Sequence, residues 1–203
     1  MRKRWMLAGA AAIVAGIAGA MAFPEISTPP TPPLANAARH SAWDFKLVAI
    51  DGEPLPMTKF KGKVVLLVNS ASKCGFTPQY DGLQKIHLEY QPKGFTVLAV
   101  PSGDFLGQEL ATNKEISGFC QSKFGIKFPM AEKEHVVGPE AIPIYRWAAA
   151  RLGADNTPKW NFHKYLIGRN GQLITAFGTK TPPEDPAVKA AIESALKAPA
   201  PKA

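Results

Sequence analysis

Two cysteines are all the thiol chemistry this 203-residue chain carries, and its four histidines are scattered. His40, His87, His135 and His163 lack metal-ligand spacing, so no metal site is expected. The residue three after Cys74 is Thr77, and the Cys-x-x-Cys pair of a thiol-disulfide oxidoreductase is therefore missing. There is no glycine-rich phosphate loop, no internal repeat, and no Lys/Arg stripe interleaved with aromatics, which argues against a nucleic-acid partner. Of the net charge of +8, Arg2, Lys3 and Arg4 supply three; the remaining +5 (8 minus 3) describes an ordinary, mildly basic surface.

One long apolar run is present, and it sits at the N-terminus. "MRKRW" is a positively charged lead-in, and "MLAGAAAIVAGIAGAMAF" is uncharged and ends in small residues. The pattern predicts a signal peptide or membrane anchor over 1–22 and hence an exported, periplasmic or extracellular protein. Small-x-small cleavage sites occur at Ala20-Met21-Ala22 and Ala35-Asn36-Ala37. The run is close to the roughly 18 apolar residues at which a spanning helix becomes possible, so anchoring to the inner membrane stays open. No cysteine follows it, which disfavours a lipid anchor. Residues 23–40, with five prolines, read as a linker outside the fold, and 197–203 as a disordered tail.

The single domain expected between 41 and 196 is long enough for a full hydrophobic core. "DFKLVAIDGEPL" holds two short strands around Asp51-Gly52. "KVVLLVNS" and "GFTVLAVPS" have buried-strand length and flank a segment of helical spacing in which Leu83, Ile86, Leu88 and Tyr90 are the apolar positions. Strand, helix and strand in that order make a right-handed parallel crossover. Further helices are expected before Gly125, before Gly153, and after Asp185-Pro186, the last with Asp185 as N-cap. Asn170-Gly171 marks a hairpin. The fold class is α/β, a central mixed sheet flanked by helices.

Cys74 falls in "VNSASKCGFTPQY", after a buried strand and before a helix. Sites form beyond the carboxyl ends of strands in open α/β sheets. Free backbone N–H groups and the helix dipole favour a thiolate there, and the small neighbours Ser72 and Gly75 leave the sulfur approachable. A buried, inert cysteine is the alternative, but Cys74 sits among Ser, Lys and Gly.

Four stretches in order resemble the glutathione peroxidase family, whose members have a thioredoxin-like fold: "VNSASKCGFTPQY", "VLAVPSGDFLGQE", "FCQSKFGIKFP" and "KWNFHKYLIGRNGQ". The resemblance spans roughly Ala42 to Leu196. It implies a thiol peroxidase with Cys74 as the peroxidatic residue, surrounded by Trp160 and Asn161 as hydrogen-bond donors. The second stretch also matches at Phe105, Gln108 and Glu109. A peroxide O–O bond is broken by a thiolate nucleophile aided by a proton or hydrogen-bond donor for the departing oxygen, and indole N–H and side-chain amide both qualify. On their own, Trp160 would be core and Asn161 a turn residue.

One departure concerns the family's fourth active-site residue, a Gln within Asn-Gln-Phe-Gly, where this chain reads Gly103-Asp104-Phe105-Leu106. If Asp104 takes that glutamine's catalytic place, an ionised carboxylate beside Cys74 opposes the thiolate, so that Asp104 is protonated, points away, or makes peroxidation slower; the alternative is a plain turn or cap residue.

By the same resemblance Cys120, 46 residues on (120 minus 74), matches the resolving cysteine of thioredoxin-dependent members. Condensing with a Cys74 sulfenic acid, it would give a disulfide after local unwinding of its helix. Read alone, it is a small hydrophobe beside Phe119. Only "AAARLGADNTPK" separates Trp147 from Trp160, where tetrameric glutathione-using animal members carry a long insertion. That implies a monomer, no bound cofactor, and a thioredoxin-like protein or glutathione as reducing co-substrate. Phe76, Phe105 and Phe162 are candidates for an apolar rim favouring lipid or organic hydroperoxides. An exported thiol-disulfide oxidoreductase, or a non-catalytic redox sensor on the same fold, is the alternative.

Overall fold

The computed structural model describes residues 28–199. In chain order the elements are β1 (Lys46–Val48), β2 (Pro54–Pro56), β3 (Val64–Ser70), α1 (Gln79–Tyr90), β4 (Phe95–Pro101), α2 (Asn113–Phe124), α3 (Pro143–Leu152), β5 (Lys164–Ile167), β6 (Leu173–Phe177) and α4 (Pro186–Lys197). The main sheet has the order β4-β3-β5-β6, with β3 and β4 parallel and β5 antiparallel to both β3 and β6. β1 and β2 form a separate antiparallel ribbon.

Every residue of β3 and β4 is buried, which is why both read as unbroken apolar runs. The two-residue period of β3 divides the core. Val64, Leu66 and Val68 join the cluster under α1, α2 and α4, while Val65 and Leu67 join the one under α3 and the β1–β2 ribbon. Helices thus cover both faces, as the sequence predicts.

Local signals set the boundaries. Thr112 and Glu115 form a reciprocal capping box at the start of α2, and Gly125 closes it in the left-handed conformation. The Asp185 side chain accepts from Ala187 N at the start of α4. The Asn170-Gly171 turn joins β5 to β6, and Gly171 has φ +78° with Trp43 Nε1 only 2.6 Å from where a Cβ would stand. No other residue fits there without moving the indole.

Two expectations are corrected. Leu88 is 47% exposed, and its neighbour His87 is buried instead, accepting from Val97 N through Nδ1. The helical stripe runs Tyr80, Leu83, Ile86 with His87, and Tyr90, the three-to-four spacing that Leu88 misses. The proline-rich segment, expected outside the fold, is laid along it where it is described. Thr31 Oγ1 accepts from Gly138 N, Pro32 O from Arg146 Nε, and Leu34 N donates to Arg146 O. Ala37 is buried and Leu34 packs on the core. Extended proline-rich backbone leaves its own polar groups unpaired, free to bond sideways to α3 and its lead-in. The expected signal or anchor over 1–22 lies outside the described residues. Among those described, no helix is long and apolar enough to cross a membrane.

Candidate active site

Cys74 occupies the loop between β3 and α1 and is 7% exposed. The loop is pinned at several points. Thr77 Oγ1 accepts from Cys74 N at 3.0 Å and donates to Ala71 O at 2.9 Å, and Thr77 N donates to Cys74 O. The position where an oxidoreductase carries its second cysteine is therefore a structural clasp for the first. Lys73 N donates to Gln108 O at 2.8 Å and Ser72 N to Glu109 Oε1 at 3.1 Å, so the segment after β4 braces the loop. Phe76 N donates to Cys74 Sγ at 3.4 Å, an interaction that strengthens when the sulfur is anionic.

Trp160, Asn161 and Phe162 arrive at the same end of the sheet by a different route. Phe162 N donates to Asn69 O at 2.6 Å and Asn69 Nδ2 to Trp160 O at 3.0 Å, fastening them to the C-terminal end of β3. Phe162 has φ +63°, a strained conformation for a bulky residue. It is held because its carbonyl accepts from Lys164 Nζ at 2.6 Å and its ring packs edge-on against Tyr80 at 5.3 Å. Asn161 is fully buried, and its Nδ2 donates to Gln108 Oε1 at 3.0 Å. Trp160 is half-buried, its ring 5.8 Å from that of Phe105.

Asp104 is committed elsewhere. Its Oδ1 lies 2.6 Å from His135 Nδ1, and its Oδ2 accepts from Val136 N at 2.7 Å and Val137 N at 3.2 Å. Both carboxylate oxygens are thus taken up by the 135–137 segment. The reading of Asp104 as a catalytic substitute for glutamine is corrected: three donors that a carboxylate satisfies better than an amide hold it there. The Asp104 carboxylate in turn pushes His135 above the ordinary histidine range. The apolar rim also needs correction, since Phe105 and Phe162 are fully buried in the core and only Phe76 is partly exposed.

Cys120 is fully buried in α2, in the same hydrophobic cluster as Cys74, and both thiols are free. Burial pushes the Cys120 thiol up to about 11, against a smaller opposing effect of the Tyr80 hydroxyl. In the closed helix it is a neutral, poor nucleophile. Burial likewise raises Glu109, whose Oε1 accepts from Ser72 N and Leu110 N. The clasping role of Thr77, noted in the sequence only as the absence of a second cysteine, and the bracing role of Gln108 were not legible there. Their spacing from Cys74 is consistent with many loops, and only Gln108's place in the second resembling stretch pointed to it.

Residues 42–149 match the family model for glutathione peroxidase. A glutathione peroxidase of Lactococcus lactis subsp. cremoris is 45% identical over 145 residues, covering 70% of this chain and 92% of that protein. The hydroperoxy fatty acid reductase gpx1 of Synechocystis is 39% identical over 167 residues, covering 78% of this chain and 98% of its own. Among solved structures, apo Trgpx aligns with a TM-score of 0.66 at 35% identity, covering 80% of this chain and 99% of that one. T. cruzi GPX1 aligns with a TM-score of 0.63 at 30% identity over 77% and 97% of the two chains. With a family model matched over residues 42–149 and relatives 39–45% identical over 70–78% of its length, the chain belongs to the glutathione peroxidase family and is an oxidoreductase of the peroxidase class.

Proposed function

We propose that the Cys74 thiolate attacks the terminal oxygen of a hydroperoxide, breaking the O–O bond to leave a Cys74 sulfenic acid and releasing an alcohol, or water from hydrogen peroxide, once the departing oxygen takes a proton. The observation that carries this reading is the Cys74 loop itself: the sulfur accepts from Phe76 N, at the sheet end where Trp160 and Asn161 are fastened to β3 through Asn69. Donors fixed before reaction need no reorganisation as charge moves to oxygen. The names of the Synechocystis relatives, hydroperoxy fatty acid reductases, support organic hydroperoxides as substrates alongside hydrogen peroxide.

In the second half of the cycle the Cys120 sulfur displaces the sulfenic oxygen, forming a Cys74–Cys120 disulfide and water. A thioredoxin-like dithiol then reduces the disulfide, with glutathione as the other reductant of this class. The name of the Schizosaccharomyces pombe relative, a glutathione peroxidase-like peroxiredoxin, supports a thiol-based peroxidase cycle. The compact 148–159 connection supports a monomer, and the charged and apolar N-terminus supports export to the periplasm. Thr77 in its clasping role gives no second thiol for an oxidoreductase motif.

The test is to treat the reduced protein with one equivalent of hydrogen peroxide or cumene hydroperoxide, block free thiols, and map both cysteines by mass spectrometry, with Cys74→Ser as control. A rapidly formed Cys74–Cys120 disulfide is the expected result. Sulfenic acid at Cys74 with Cys120 free would replace the internal thiol by an external one, and an unoxidised Cys74 would overturn the peroxidase site.

A further inference from the structure

Asn161 can assist chemistry at Cys74 only if its amide presents N–H rather than C=O, and something must choose between the two orientations. The Asn161 Oδ1 is buried and has no hydrogen-bond partner. Its Nδ2 donates to Gln108 Oε1 at 3.0 Å. That contact is therefore what distinguishes one end of the amide from the other. The Gln108 carbonyl meanwhile accepts from Lys73 N, the residue beside Cys74. Gln108 is thus bonded both to the loop that carries the thiol and to the amide of Asn161. Asp104, standing where the resemblance expects glutamine, has both oxygens engaged by residues 135–137.

We propose that Gln108 is a positioning residue that fixes the orientation of the Asn161 side-chain amide relative to Cys74. The proposal rests on Cys74 being the reacting thiol. Gln108 is half-buried at the end of the 103–108 turn, whose Leu106 and Gly107 both have positive φ, and Gln108 N is anchored to Phe105 O. Its backbone is set by that turn, so a side-chain change at 108 leaves the brace on Lys73 in place.

Two substitutions separate orientation from charge. Gln108→Glu keeps an acceptor and no donor, so Asn161 must still turn its Nδ2 toward it. Gln108→Lys keeps only donors, so it attracts Oδ1 or releases the amide altogether. By charge alone the ranking would be reversed, because a cation near a thiolate favours it and a carboxylate opposes it. The rate constant for oxidation of Cys74 by hydrogen peroxide, and the pH dependence of Cys74 alkylation by iodoacetamide, are measured on both variants and on the unaltered protein. Gln108→Lys is expected to oxidise about tenfold more slowly than Gln108→Glu, the scale of one hydrogen bond, with its alkylation profile moved to higher pH. Equal losses in the two variants, or Gln108→Lys the faster, would overturn the proposal. If the unaltered protein does not oxidise at all, the peroxidase reading fails, and the alkylation profiles still decide for or against Gln108 by the same ranking.

Discussion

Asp104 Oδ1 lies 2.6 Å from His135 Nδ1 while its other oxygen accepts from two successive backbone N–H groups, Val136 and Val137. This carboxylate is a structural clamp on the 135–137 segment. Asp104→Ala leaves two part-buried N–H groups without their acceptor. The expected cost is about 1–3 kcal/mol of stability in urea denaturation, with the rate of Cys74 oxidation changed less than about threefold. A loss of oxidation rate with unchanged stability would put Asp104 back at the chemistry.

The clamp has a pH sign. The Asp104 hydrogen bond raises His135 above its ordinary value, so its contribution is complete below pH 6.5 and fades as pH rises through the raised value. Hydrogen exchange at Val136 and Val137, corrected for intrinsic rates, is expected to be slower at pH 5.5 than at pH 8. His135→Ala should remove that difference.

Leu106 has φ +57° and is 65% exposed, so it bears left-handed backbone strain with little packing in return. Leu106→Gly should raise stability by about 1 kcal/mol, read as a higher midpoint in thermal or urea unfolding. A lower midpoint would mean that the leucine side chain carries contacts outweighing the strain.

Lys164 is fully buried, its ammonium held by Gln79 Oε1, Phe162 O and Thr181 O at 2.6–2.9 Å, and burial pushes it down to about 7. A lysine depressed in the folded state is charged only in the unfolded chain between that value and 10.5, so unfolding takes up a proton and stability rises with pH there. The slope that Lys164 contributes approaches about 1.4 kcal/mol per pH unit between about pH 7.5 and 8.5, opposed above about pH 8 by Cys120, whose thiol ionises near 9 in the unfolded chain. Lys164→Met should flatten it, as measured by urea midpoints across that window.

The closed α2 keeps the Cys120 thiol buried and protonated, so its part in the proposed cycle requires the helix to open. In Cys120→Ser the oxidation of Cys74 should proceed at the unaltered rate, and the product should stop at sulfenic acid, trapped by dimedone. In the reduced native protein, alkylation of Cys120 should trail that of Cys74 by at least about tenfold at pH 8.

Much of this was legible without coordinates. β3 and β4 are continuous apolar runs because both of their faces are covered, and Asp185 and Gly125 mark helix ends through purely local hydrogen bonds and backbone freedom. Cys74 was legible too, since a cysteine between a buried strand and a helix falls at the carboxyl edge of the sheet. Leu88 was misread because one residue of helical phase, about 100°, separates it from the buried stripe, and the choice between His87 and Leu88 belongs to what packs above them.

Short-range periodicity and capping are enough to specify the α/β order, helix ends such as Gly125 and Asp185, and the thiol's place at the sheet edge. Where the polar side chains point is set by the folded arrangement alone. Asp104 is turned to residues 31 to 33 positions further along the chain, Gln108 to Asn161 53 positions away, and the proline-rich lead-in to Arg146. Hydrogen bonds across such separations form only once the folded chain has brought their partners within about 3 Å, and no local pattern of residues encodes that meeting.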